Sequence, residues 1–231
     1  MTVRSDGITT RQKILEATVK LFLNNGFHQT TTREICAEAG VSLSSFNNAY
    51  RSKEGVLLEL VGFMFQGQFA KARRISGTAA SPVTVYAVET AIQLAMTDLR
   101  STLRDIYVEA YTLNSTSELI YKNTAMELYK IFSQYNPGLN QGDFYELEIA
   151  SGSVMRGYMA VPSNPYFPLE KKIRRLLEVN FAIYNIPLPE REAALVHVEQ
   201  MDIRAAALQL LKGLTAAIAE KFGACELLDE T

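Results

Sequence analysis

Apolar residues recur at three- and four-residue steps along nearly the whole chain, and the breaks between runs carry Gly, Pro, Asn and Ser. Ile14, Ala17, Val19, Leu21 and Phe22 predict a helix over about 10–25, capped by Thr10 and stopped at Asn24-Asn25-Gly26. Thr31 and Glu34 have capping-box spacing, and Gly40 suits a left-handed end for that second helix. Ser42 caps a third helix to about Tyr50, and Ser52 a fourth to about Arg74. Pro82 opens a fifth, to about Leu113. Further periodic runs cover about 116–135, 141–161, 169–186 and 190–222, parted by Asn136-Pro137-Gly138, Pro162-Ser163-Asn164-Pro165, Pro187 and Pro189. There is no strand alternation, repeat or low-complexity segment. The predicted fold class is all-α.

The second and third helices, joined by Ala39-Gly40-Val41 with the first behind them, form a three-helix helix-turn-helix unit. Ile35, Ala39, Val41, Phe46 and Tyr50 fall on its inward faces. The third helix carries almost no charge, and Leu43, Ser44, Asn47 and Asn48 face outwards. Such groups suit base edges in a major groove: asparagine bonds adenine through N6 and N7, serine bonds several bases, and leucine packs on a thymine methyl. An αα-hairpin that caps a helical core, its Ser and Asn solvated, fits the same spacing.

Composition narrows the classes. The chain has 231 residues and a net charge of −2, enough for one large domain or two unequal ones and neutral on nucleic acid. Residues 1–55 hold seven Lys and Arg against five acids, while the rest holds sixteen against twenty, so the positive field lies at the N-terminal end. No apolar run has bilayer length and MTVRSDGITTRQKIL lacks a signal-peptide core, so a cytoplasmic protein is expected. Cys36 and Cys225 have no metal-ligand spacing, which makes reduced thiols the default and a disulfide the lesser alternative.

An enzyme is not expected, nor a metal or cofactor. The two histidines, His28 and His197, stand apart, and no nucleophile elbow, phosphate-binding loop or dinucleotide fingerprint occurs. Asp143, Glu146 and Glu148 read as a solvated helix start. Lys171, Lys172, Arg174 and Arg175 read as the wet face of a helix whose other side is Leu169, Ile173, Leu176 and Leu177.

The stretch TRQKILEATVKLFLNNGFHQTTTREICAEAGVSLSSFNNAYRSKEGVL resembles the N-terminal DNA-binding domain of the TetR (tetracycline-repressor-like) transcriptional regulators. The likeness rests on the Ile14–Ala17–Leu21–Phe22 stripe, Gly26-Phe27, Thr30-Thr31, Arg33-Glu34-Ile35, Ala39-Gly40-Val41-Ser42 and Ser52-Lys53-Glu54, over about the first sixty residues. It implies a homodimeric, ligand-responsive repressor on a two-fold DNA operator, released by a small molecule. The implied domains are a helix-turn-helix unit over 1–55 and a helical ligand-binding and dimerisation domain over 56–231. Arg33 and Lys53 take family backbone-contact positions, Ser42, Leu43, Ser44, Ser45, Asn47 and Asn48 the reading positions, and Thr32 and Tyr50 complete the set. Lys53 also opens helix four, whose positive end suits a phosphate. Many relatives carry glycine where this chain has Ser44 and aromatics where it has Asn47 and Ala49, so an operator sequence does not transfer. A helical adaptor of the same fold without DNA binding is the alternative.

Beyond residue 56, Tyr107, Tyr111, Met126, Tyr129, Met155, Tyr158 and Met159 offer aromatic and thioether surface for an adaptable pocket, or plain core. Arg156 lies among Gly152, Ser153, Met159 and Ala160 and needs a partner: Glu89, within the apolar run Val85–Met96, or an anionic ligand. The two C-terminal helices are expected to form the dimer contact through Leu176, Leu208, Leu211, Leu214, Thr215 and Ile218. Sealing the subunit's own core is the alternative. Duplex DNA, an unidentified small molecule and a second copy are the expected partners, and a membrane is not.

Overall fold

The computed structural model describes the backbone of residues 3–222 and the side chains of residues 9–217. In chain order its helices are α1 (Val3–Asn25), α2 (Thr32–Ala39), α3 (Leu43–Tyr50), α4 (Lys53–Phe65), α5 (Gln68–Ser76) and α6 (Pro82–Leu99). There follow α7 (Ser101–Ala110), α8 (Asn114–Phe132), α9 (Gln141–Ala160), α10 (Leu169–Ile183), α11 (Leu188–Glu199) and α12 (Ile203–Phe222). No strand occurs among the described residues, and one bridge joins Asn164 to Phe167.

Four boundaries differ from those that periodicity predicts. α1 begins at Val3, and Thr10 lies inside it, because no proline ahead of Thr10 interrupts the helix. The fourth helix stops at Phe65, since Gly67 takes φ 71° and turns the chain before α5. Arg100 is extended and divides the fifth into α6 and α7. Gln200-Met201-Asp202 divides the last into α11 and α12, with Asp202 Oδ1 accepting from the Ala205 amide at 2.9 Å. Each break spans so few residues that apolar periodicity runs across it.

α6 is the axis of the larger part. Every residue from Val83 to Thr97 is buried, because α5, α7, α8, α9, α10, α11 and α12 all pack on it. A helix buried on all sides must satisfy its polar side chains internally. Thr97 does so locally, donating to the Leu94 carbonyl at 2.7 Å. Gln93 bonds Glu89 within the helix and also takes the Tyr111 hydroxyl, as described below.

At one end, α1 carries α2 and α3 and docks on α7 and α12. Ile14, Phe22, Ile35 and Phe46 make the dry centre of this unit. Its joint to α7 is polar: Thr102 Oγ1 donates to the Leu23 carbonyl at 2.8 Å, and the His28 amide donates to Asp105 Oδ2 at 3.0 Å.

Two surface expectations are corrected. Leu176, Leu211, Leu214 and Thr215 are buried in the subunit's own core, so they have no area left to give a second copy. Of the expected dimer residues, Leu208 is exposed and the Ile218 side chain lies outside the described residues. Lys172 is not on a wet face; it is fully buried, and its Nζ donates to the Val161 carbonyl at 2.6 Å. Arg174, by contrast, pairs at the surface with Glu178 and Glu199.

Candidate nucleic-acid interface and ligand chamber

Caps fix α2 and α3. The Thr31 hydroxyl accepts from the Glu34 amide at 3.2 Å while the Thr31 amide donates to Glu34 Oε2 at 2.7 Å, and Gly40 closes α2 at φ 63°. The Thr31 amide, together with the Thr31 hydroxyl donating to Glu34 Oε2 at 2.8 Å, holds the Glu34 carboxyl below its ordinary range. Ser42 Oγ accepts from the Ser45 amide at 3.1 Å and lies 2.9 Å from Ser45 Oγ, so both hydroxyls are already engaged in the cap. Leu43, Ser44, Asn47 and Asn48 are left exposed in a row, with Phe46 buried beneath them.

The end of α3 depends on a glycine at the third position of α4. A Cβ on Gly55 would overlap the Tyr50 carbonyl oxygen, so glycine lets α4 begin directly against α3. The Ser52 hydroxyl caps that start by accepting from the Gly55 amide at 3.4 Å. Arg11 braces the same corner, bonding Glu59 and donating to the Ala49 carbonyl at 2.9 Å.

Placement of the expected DNA-facing residues is uneven. Arg33 is exposed, and half-buried Thr32 lines a shallow groove together with Leu43, Asn47 and Lys53. Tyr50 does not face it: the ring is buried against Phe46, under the Arg11 guanidinium at 4.3 Å. Tyr50 is therefore corrected to a core residue. Lys53 is committed within the unit, its Nζ donating to the carbonyls of Phe27 at 2.9 Å and Thr30 at 3.0 Å above the Phe27 ring. An ammonium has three donors, so one remains. Arg51, absent from the expected set, lines the groove too; it is exposed at the C-terminal cap of α3 with φ 62°. A basic residue between the end of α3 and the Ser52 cap was the available signal.

The second site lies inside the larger part. Glu89, Thr90 and Gln93 of α6, Tyr111, Thr124 of α8, Glu148 and Ser151 of α9, and Asn180 of α10 face one small chamber. Gln93 Nε2 donates to Glu89, and Tyr111 donates to Gln93 Oε1 at 3.2 Å. Glu148 Oε2 accepts from Ser151 Oγ at 2.7 Å and from the Tyr184 hydroxyl at 2.8 Å. Burial pushes both carboxyls up to about 7. The Gln93 bond opposes this at Glu89; at Glu148 the Ser151 and Tyr184 bonds oppose it and the Glu89 charge adds to it. No ion pair to either acid occurs among the described residues.

Glu89 and Gln93 also form the floor of a vestibule walled by Met64 and Phe65 of α4, Ile92, Tyr107 and Leu214. Of the expected ligand residues, Tyr107 reaches the vestibule, and Tyr111 and Met155 reach the chamber. Met126 is exposed, Tyr129 packs on Phe144, Tyr158 on Phe167, and Met159 is core. Arg156 is exposed and its Nε donates to Thr112 Oγ1 at 2.8 Å, so the expected pairing with Glu89 is corrected. Glu148 is likewise not solvated but buried, although Asp143 does serve the helix start in a capping box. Its signal was position: Phe144, Ser151, Gly152 and Met155 share its face, all buried.

Comparison with known proteins addresses the first site. Residues 14–60 match the family described as "Bacterial regulatory proteins, tetR family". The chain is 26% identical over 168 residues to the "Probable HTH-type transcriptional regulator YttP" of Bacillus subtilis (strain 168), covering 71% of this chain and 74% of that protein. Against the "Uncharacterized HTH-type transcriptional regulator YuxN" of the same organism it is 32% identical over 73 residues, 32% of this chain and 25% of that one. A crystal structure of a gamma-butyrolactone receptor (ArpA-like protein) aligns with a TM-score of 0.47 and 14% identity, over 90% of this chain and 98% of the other.

Proposed function

We propose, from the premise that this chain belongs to the tetR family of bacterial regulatory proteins, that it represses transcription as a homodimer on a two-fold DNA operator and is released by a small molecule. The carrying observation is the row Leu43, Ser44, Asn47 and Asn48, exposed, uncharged and rigidly capped, with Arg51 in the same groove and Arg33 exposed on α2. In this reading residues 1–55 are the DNA-binding domain and 56–231 the ligand-binding and dimerisation domain, and the protein works in the cytoplasm. The asparagines read base edges while the arginines and the free donor of Lys53 meet phosphates.

Dimerisation is assigned to a different face from the buried stripe of α12. On α9, Ile149, Ala150, Ser153, Gly157 and Ala160 are exposed along one side, with Val161 just beyond and Val179 exposed on α10. Small residues allow close approach, and two copies of this helix pair make a four-helix bundle about a two-fold axis. A ligand in the vestibule bears on Met64 and Phe65 of α4, whose first turn abuts α3. The same ligand touches Tyr107 of α7, which holds His28 and Leu23 of the reading unit.

The test is selection of bound duplexes from a random pool, followed by binding across a salt series. Asn47→Ala and Asn48→Ala each relax preference at a defined operator position by about 1–3 kcal/mol. Arg51→Ala weakens all sequences alike and lowers the salt slope by about one. A pool that yields no enriched sequence refutes the regulator and leaves a helical adaptor. Ile149→Glu gives monomers by sedimentation; a dimer that survives it overturns the α9 face.

A further inference from the structure

The chamber's polar atoms are unbalanced. Two carboxyl groups, Glu89 and Glu148, line one buried chamber with no cation paired to either among the described residues. Asn180 donates through Nδ2 to the Tyr86 hydroxyl at 2.9 Å, yet its Oδ1 is buried with no partner. The donors that face them are few and mostly spent: Gln93 on Glu89, Ser151 and Tyr184 on Glu148. Thr124 Oγ1 is the other buried atom there without a partner. One of these two atoms can only accept and the other is a hydroxyl, while two of the chamber's groups are acids that become acceptors only when they ionise. A buried polar group left unpaired costs about 1–3 kcal/mol, more when charged, so the arrangement lacks a donor-rich, positively charged occupant.

The surroundings set its shape. The chamber meets the apolar vestibule at Glu89 and Gln93; Tyr86 and Tyr111 line the chamber and Tyr107 the vestibule. Aromatic faces attract cations. Free volume is about 20 Å³ in the chamber and about 40 Å³ in the vestibule, so an occupant of both must part α4 and α5 from α6. We propose that this site takes an amphipathic organic cation, its ammonium held between Glu89 and Glu148 and its apolar body lying against Met64, Phe65, Ile92 and Leu214. The proposal deepens the regulator reading, on which it rests for the consequence of binding but not for the chemistry of the site.

Three probes on one frame test it with the full-length chain: 4-phenylbutylamine, 4-phenylbutanol and 4-phenylbutyrate, titrated by calorimetry. The amine binds tighter than the alcohol and the carboxylate by about tenfold or more, the value of a charge-assisted hydrogen bond. Its affinity rises between pH 6 and 8, because the alkylamine stays protonated while the acids lose the protons that burial holds on them. The hydroxyls of Tyr86, Tyr107, Tyr111 and Tyr184 face these acids and stay neutral in that window, since burial raises each. Lys71 on the vestibule wall is the remaining charged group, and burial lowers its pKa. Glu89→Gln and Glu148→Gln each remove the preference for the amine over the alcohol. Should either variant fail to fold, the ranking of probes on the wild-type chain still decides. If the alcohol or the carboxylate binds as tightly as the amine, the cation is refuted while the effector reading stands. If none of the three binds at millimolar concentration, the chamber is refuted as a ligand site, and DNA selection judges the regulator separately.

Discussion

α3 and α6 both carry polar residues that do not serve the helix itself, but they carry them in opposite environments. On α3, Ser44, Asn47 and Asn48 point into solvent and cost nothing there. On α6, Glu89, Thr90 and Gln93 are buried on a helix with no exposed face: Glu89 has Gln93 of the same helix, and Gln93 also takes the Tyr111 hydroxyl from outside it. The first arrangement leaves hydrogen-bonding capacity open to a large external partner. The second confines it to a small internal one. Polarity at a surface advertises a partner by shape and spacing; polarity in a core does so by what is left unpaired.

The sharpest division between α3 and the chamber that α6 shares with α9 is their response to pH. Burial raises Glu89 and Glu148 to about 7 in the folded chain, against an ordinary 4.5. The folded state therefore binds more protons than the unfolded one between those values, and stability falls as pH rises from 4.5 through about 7. At pH 8 the loss is on the order of 3 kcal/mol per acid, before coupling between them. Glu148→Gln, whose amide oxygen still accepts from Ser151 and Tyr184, should be more stable than wild type at pH 8 and about equal to it near pH 4.5. Urea unfolding across that range measures the difference. A difference that stays flat would place Glu148 in water, like the polar groups of α3.

α3 in turn owes its exposure to the tight joint behind it. Gly55→Ala sets a methyl against the Tyr50 carbonyl and should cost about 2–3 kcal/mol, with loss of operator preference, because backbone cannot yield as a side chain does. Retained preference in DNA selection would show that α4 need not abut α3. Lys53→Met removes two carbonyl contacts and should cost about 1 kcal/mol in unfolding experiments as well as weakening DNA binding. If stability is unchanged, Lys53 belongs wholly to the DNA face. Leu208→Glu is the smallest expected effect: on the solvent side of α12 it should shift stability within about 0.5 kcal/mol and leave the oligomeric state alone. Monomers by sedimentation would return the dimer contact to α12.

Legibility in the sequence followed the range of the interactions. The α2 capping box, the Gly40 turn, the Ser42 and Ser52 caps and the outward set of α3 are all made by residues within a few positions of one another, and spacing reports them. Helix breaks at Gly67, Arg100 and Gln200 to Asp202 were not visible, since apolar residues continue on both sides. Helical spacing puts Tyr50 inward on Phe46, against the DNA role that the resemblance implies for it, whereas Lys53 is turned inward in part by Phe27 and Thr30, which are distant in sequence.

The sequence by itself determined the all-helical class and the placement of an uncharged, capped helix on a basic N-terminal unit. Those follow from periodicity, caps and local composition, which depend on neighbours along the chain. Only the tertiary structure decided that Arg156 bonds Thr112, that Lys172 is buried on Val161, and that Leu211 and Thr215 seal the subunit's own core. It alone brought Glu89 and Glu148, on helices α6 and α9, to one chamber. Burial and charge pairing are properties of groups that meet across the fold, and residues far apart in sequence carry no mark of which others they will face.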